Sequence, residues 1–285
     1  MKLKNLIAVG LVAVPVAALA GTTLNGAGAT FPAPIYQRWF QDYAASGNRV
    51  NYQSVGSGAG VRQFVAGTVN FGASDEPIKA SEAAKVKRGV VQIPMVGGTI
   101  AVAYNKPGCK LKLTQKQTVD VFAGRITDWK QVGCAAGGIR VVHRSDGSGT
   151  TFAFLNSLDA FGGWTYGVGK SIKWPTGVGA KGNEGVAGVL QTTPGSIGYL
   201  NQSFVKGHLK AAAVQNKSGE FVLPSYASGA KALNGIVLNK NLAGQDPNPS
   251  AKGAYPIATL TYLLAYRTGN GAKTDAIKGV INYML

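Results

Sequence analysis

The sequence predicts an α/β fold of two lobes, and three observations predict it. Strand-like and helix-like stretches alternate from the start of the mature chain onward, which implies parallel βαβ units. The alternation restarts after the turn-rich NKPGCK (Asn105 to Lys110), as at a crossover into a second lobe. A long apolar, β-like run, YPIATLTYLLAYR (Tyr255 to Arg267), then stands near the end, well placed to cross back. Length alone suits either one large domain or two smaller ones.

Each element has a local reason. Thr22 to Asn25 is β-compatible and GAGATFPAP follows as a turn, with Pro32 and Pro34 suited to a helix's first turn. Ile35, Trp39, Phe40 and Tyr43 then recur at helical spacing. Val50 and Tyr52 alternate with polar residues as in a strand, SVGSGAG turns, and Val61, Phe64 and Val65 mark a second helix. Val69 to Ala73 reads as a strand running into SDEP, and Val90 to Pro94 and Thr99 to Tyr104 read as two buried strands. Thr114 and Gln117 make a capping box ahead of a helix carrying Val119 and Phe122. Ile139 to Val142 is a strand entering RSDGSGT, and Phe152, Leu155 and Leu158 mark the helix after Ser148.

Lys2 and Lys4 precede an apolar run from Leu6 to Leu19 that ends in Ala18-Leu19-Ala20. This pattern predicts a secretory signal peptide over residues 1–20, cleaved after Ala20, because the run is too short for a membrane span. No cysteine near Ala20 suggests a lipid anchor, so the mature chain is expected to be exported and soluble. In an oxidising compartment Cys109 and Cys134, the only cysteines, are expected to form a disulfide; loop closure would contribute roughly 3 kcal/mol. With only His143 and His208 beside them, neither at zinc-ligand spacing, no metal site is predicted. The net charge of +17 is scattered, without the basic stripe and interleaved aromatics of a nucleic-acid binder.

Three strand-to-helix turns, GAGATF, GSGAG and RSDGSGT, each combine glycine with a hydroxyl residue at an expected helix start. The first N–H groups of a helix lack internal partners and carry partial positive charge, while glycine lets a ligand approach the backbone. One such turn is ordinary capping chemistry. Three, with Arg144 beside one of them, point to a pocket for an oxyanion. Enzyme motifs fail by comparison. GAGATF lacks the third glycine of a dinucleotide fingerprint, Trp164 stands where a phosphate loop ending in Gly169-Lys170-Ser171 needs glycine, and neither Ser57 nor Ser148 lies in a G-x-S-x-G elbow. His143 reads as a strand residue.

The motifs GAGATFPAPIYQRWF, VNYQSVGSGAGV, VNFGASDEP, RSDGSGTTF, KWPTGVGAKGNEGV and PGSIGYL, in this order, resemble the periplasmic phosphate-binding proteins (PstS type) of high-affinity phosphate ABC transporters. The resemblance runs from Leu24 to Arg267. It implies a type II periplasmic binding protein fold, with each lobe a mixed sheet flanked by helices and two hinge strands between them. Lobe I would be residues 21–105 and 257–285, and lobe II residues 106–256. It also implies a phosphate site made of Thr30, the Phe31 N–H, Ser57, Asp75, Arg144, Ser148, the Gly149 N–H and Thr150, with Asp146 orienting Arg144. No cofactor is implied. The expected activity is capture of inorganic phosphate by a periplasmic, non-enzymatic monomer that hands it to a membrane permease. A secreted phosphatase or a phosphate-scavenging surface protein using the same cradle is the alternative.

A carboxylate such as Asp75 repels a bare anion but accepts a hydrogen bond from one that carries a proton. Phosphate at neutral pH does and sulfate does not, so Asp75 is expected to reject sulfate. Without the resemblance Asp75 would read as a helix cap or a salt-bridge partner of Arg144.

Overall fold

The computed structural model describes residues 21–285, so the predicted signal peptide lies outside the described residues. The chain begins with β1 (Thr23–Gly28), α1 (Ala33–Tyr43), β2 (Arg49–Ser54), α2 (Ser57–Ala66), β3 (Phe71–Ser74) and the short α3 (Ala80–Ala83). A long strand, β4 (Val90–Asn105), leads to β5 (Lys112–Leu113), α4 (Gln115–Phe122), β6 (Arg140–Arg144), α5 (Gly149–Phe161), β7 (Val178–Ala180) and α6 (Gly182–Thr192). Next come β8 (Ser196–Asn201), β9 (Lys210–Ala211), β10 (Ala213–Gln215), β11 (Phe221–Val222) and α7 (Tyr226–Leu233). The chain finishes with β12 (Ala258–Tyr266) and α8 (Thr274–Met284).

One nine-stranded sheet runs through the molecule in the order β2-β1-β3-β12-β4-β8-β6-β7, with β9 also paired to β4. Its flanks are parallel, as βαβ units require: β2, β1 and β3 on one side, β8, β6 and β7 on the other. Its centre is antiparallel, through β3, β12, β4 and β8. The partner strand changes inside β4. Val90 to Thr99 pair with β12, and Ile100 to Asn105 pair with β8. A second crossing lies just before β12, where the Ile257 carbonyl accepts the Ile100 N–H at 2.9 Å.

The stretch expected as two strands is thus one strand of 16 residues. The break suggested by Pro94 and Gly97-Gly98 is absorbed by a bulge: Tyr262 faces Pro94 and Thr261 faces Val96, leaving Met95 as the extra residue. A bulge is one of the few sheet positions that tolerates a proline.

Helices cover both faces of each half-sheet. In the first lobe α1 and α8 bury Tyr36, Phe40, Tyr43, Ile277 and Val280 against Leu24, Phe71 and Leu263. On the opposite face α2 places Val61 and Phe64 beside Ala27, Leu264 and Tyr266. The buried stripe of α1 is displaced from the expected one. Tyr36 and Phe40 pack on Tyr52 and Phe71, whereas Ile35 is exposed. In the second lobe α4 and α5 bring Phe122, Phe154 and Leu158 onto Tyr199 and Trp129, and α6 covers Val142 and Leu200 with Val186 and Leu190. Thr114 caps α4 with the reciprocal bonds of a capping box, and Cys109 and Cys134 form a disulfide.

Candidate functional site

The carboxyl ends of β1, β3 and β6 and the first turns of α1, α2 and α5 meet between the lobes. Topology places them there, because each βα turn lies at the same edge of its parallel half-sheet. From the first lobe come Thr30, Ser57 and Asp75; from the second come Arg144, Ser148, Gly149 and Thr150. Every one of these residues is buried. Phe31 is buried too, its ring near Gly98 of β4.

Side chains from the two lobes touch directly. Thr150 donates its hydroxyl to Asp75 Oδ2 at 3.0 Å, and Asn183 Nδ2 donates to Thr30 Oγ1 at 2.7 Å. The Asn183 N–H reaches the same Thr30 oxygen at 3.0 Å. The backbones are equally close. The Gly58 N–H donates to the Gly147 carbonyl at 2.8 Å, and a Cβ on Gly149 would stand 2.7 Å from the Asp75 N and the Ser57 Oγ. Gly56, which precedes α2 at φ +89°, brings its Cα near Asp146 of the other lobe; a Cβ there would lie 2.2 Å from Oδ2. These glycines allow an approach that any side chain would block.

Arg144 is fixed by a two-pronged bond, Nε to Asp146 Oδ1 at 2.7 Å and Nη2 to Oδ2 at 2.6 Å. Its remaining nitrogen, Nη1, is buried and has no acceptor among the described residues. A guanidinium held by one edge with the rest of its donors free is a directed, charge-assisted binder for an anion. Burial works against ionising Asp146, yet Arg144 and the Gly182 N–H outweigh it and hold the carboxyl below its ordinary range.

Asp75 behaves oppositely. Burial raises its pKa to about 6, against the pull of the Thr261 and Thr150 hydroxyls and the Arg144 charge. Thr261 donates to Oδ1 at 2.6 Å, so both carboxylate oxygens are engaged by hydroxyls. Asp75 makes no ion pair with Arg144 among the described residues, whose partner is Asp146. Ser57 Oγ accepts the Asp75 N–H at 3.2 Å, and Ser148 Oγ caps α5 by accepting the Thr151 N–H at 3.0 Å.

A chain with these helix starts and this anchored arginine can be set beside known proteins. The model of the PBP superfamily domain matches residues 14–285. The phosphate-binding protein PstS of Pasteurella multocida is 39% identical over 285 aligned positions, spanning 92% of this chain and 80% of the relative. The chain belongs to the PstS family of phosphate-binding proteins. Within that family, PstS of Xylella fastidiosa is also 39% identical, over 85% of this chain and 71% of its own. A high-affinity periplasmic phosphate-binding protein solved with phosphate superposes with a TM-score of 0.77 at 25% identity, covering 92% of this chain and 84% of that one. An ABC-type phosphate transport receptor from Vibrio cholerae shares the fold at a TM-score of 0.59 and 19% identity, over 92% and 93%. The PstS fold, a type II periplasmic binding protein of two lobes, is therefore that of this chain. Among the described residues no cluster of His, Cys, Asp or Glu could hold a metal, and no helix is long and apolar enough to cross a membrane.

Several contributors escape a reading of the sequence. Asn183 bonds Thr30, lies 3.4 Å from Thr150 and accepts the Asn201 N–H. Its signal was a fourth strand-to-helix turn, AKGNEG, which lacks the hydroxyl that marks the other three. Thr261 is hidden in an apolar run, and only the structure shows that its hydroxyl is completely buried. Tyr199 links Thr151 Oγ1 at 2.6 Å to the Arg144 N–H at 3.2 Å. His143 lies in β6 and stacks on Trp174 with its Nδ1 3.1 Å from the Arg144 carbonyl.

Proposed function

We propose that this chain captures inorganic phosphate between its lobes and delivers it to the membrane permease of an ABC transporter. Thr30, the Phe31 N–H, Ser57 and Asp75 hold the anion from one side. Arg144, Ser148, the Gly149 N–H and Thr150 hold it from the other, and Asp146 orients Arg144. The observation that carries this reading is the buried, unaccepted Nη1 of Arg144 beside three helix starts. The names of the relatives support phosphate as the ligand.

The lobes divide as residues 21–105 with 257–285, and 106–256, with the crossing strand β4 counted in the first. Ligand bonded from both sides stabilises the closed arrangement over the open one, so binding and lobe closure are linked. The protein is exported by cleavage after Ala20 and catalyses no reaction. A desolvated anion is tolerated only when its oxygens are hydrogen-bonded, which the cradle provides, and Asp75 requires that the anion bring a proton. Denaturing the purified protein and assaying released phosphate tests the ligand. Calorimetry with phosphate and sulfate tests the selectivity: equal affinity for both anions would overturn the role given to Asp75.

A further inference from the structure

We propose that Lys170, closing on Glu76 and Glu82, is a charged clasp between the lobes that sets how long the molecule stays shut and so how fast phosphate leaves. The proposal rests on the reading that the lobes close around an anion. Lys170 belongs to the second lobe, in the loop joining α5 to β7. Its Nζ lies 2.8 Å from Glu76 Oε2 and 3.2 Å from Glu82 Oε1, both in the first lobe. Its side chain is 13% exposed and that of Glu76 5%, so water screens the pair poorly. Every other ion pair among the described residues joins groups within one lobe.

The clasp is wired to the anion site at both ends. The Lys170 carbonyl accepts the Ser148 N–H at 2.8 Å, tying its loop to the start of α5. Glu76 directly follows Asp75, and its backbone is fixed by Ser74, whose hydroxyl donates to the Glu76 carbonyl at 2.6 Å. The device is also reversible. Lys79 Nζ, on the same lobe as Glu76, stands 3.5 Å from Glu76 Oε1. When the lobes part, Glu76 keeps this partner and the Lys170 ammonium moves into water on a flexible stem. Neither charge is stranded in an apolar place, so opening is not prohibitive.

The sign of one effect separates a clasp from simple attraction. If these groups act only by long-range charge, removing the carboxylate of Glu76 takes negative charge away from an anion site and should tighten phosphate binding. If they act as a clasp, the same change loosens it, because a less populated closed form lowers apparent affinity.

The test measures phosphate dissociation constants and release rates by calorimetry and stopped flow. Variants are Lys170→Met, which keeps the stem, Glu76→Gln and Glu82→Gln, which keeps an acceptor for the Lys79 N–H that Glu82 Oε2 receives. We expect Lys170→Met and Glu76→Gln each to weaken binding about fivefold, mostly through faster release, with a combined effect smaller than the product. Sulfate discrimination should not change. Tighter binding by Glu76→Gln, or effects that simply multiply, would overturn the clasp. Dyes on the two lobes give a second readout by energy transfer. Lys170→Met should lower the closed fraction at every phosphate concentration, and an unchanged closed fraction would also overturn it. Failure of the wild-type protein to bind phosphate would instead sink the ligand assignment, leaving energy transfer to decide the clasp.

Discussion

Asp75 is a carboxylate kept from water between two threonine hydroxyls, and burial has lifted its pKa to about 6. An acid whose pKa rises on folding holds more protons in the folded than in the unfolded chain between its ordinary value and about 6. Ligand-free stability therefore falls as pH rises through that window and stays low above it. Asp75→Asn should stabilise the ligand-free protein at pH 8 by on the order of 2 kcal/mol, with the gain vanishing towards pH 4 in urea unfolding. The same variant should bind sulfate more tightly than the wild type in calorimetry, because an amide can donate to an oxygen that carries no proton. Arg144→Ala should weaken phosphate binding by about a hundredfold or more in calorimetry, since it removes the charged donor and leaves Asp146 half-buried without its partner. Asn183→Ala should cost about tenfold, as it removes a bond between the lobes without touching charge.

At the scale of elements, the glycine that opens α5 has two opposed demands on it. Gly149 lies in the first turn of a regular helix, where alanine is intrinsically favoured over glycine. Across the cleft, however, an added methyl would sit 2.7 Å from Asp75 and Ser57. Gly149→Ala should thus leave ligand-free unfolding unchanged or slightly improved while phosphate affinity drops by at least tenfold. A loss of stability equal to the loss of affinity would contradict this separation. What the sequence disclosed also sorts by element. Caps and turns were legible, as with Thr114 and Gln117 at α4 and Ser148 at α5, because their chemistry is local. The continuity of β4 was not. Pro94 and paired glycines imitate a strand end unless the partner strand that absorbs the bulge is known. Asn183 and Thr261 were missed for a related reason: their partners lie 153 and 186 positions away, so a turn without a hydroxyl and a threonine in an apolar run gave no sign of what they would meet.

For the whole molecule, ligand bound only to the folded, closed form raises stability with the logarithm of its concentration. Differential scanning fluorimetry should show the melting temperature climbing steadily with phosphate and not with sulfate at equal ionic strength. The two-lobe plan itself was visible as a pattern that restarts and returns, yet how tightly the lobes meet was not, since it depends on Gly56, Gly58 and Gly147 facing one another. The strand that passes through both lobes has a further effect on how the chain can vary. Side chains alternate along a strand, so a slip by one residue turns each of them over. Because β4 is locked to β12 through Thr99 and to β8 from Ile100 onward, inserting or deleting a single residue at that boundary would invert one lobe's packing while sparing the other. The molecule's waist is in this way a fixed count of residues, far less free to change in length than any of the loops around it.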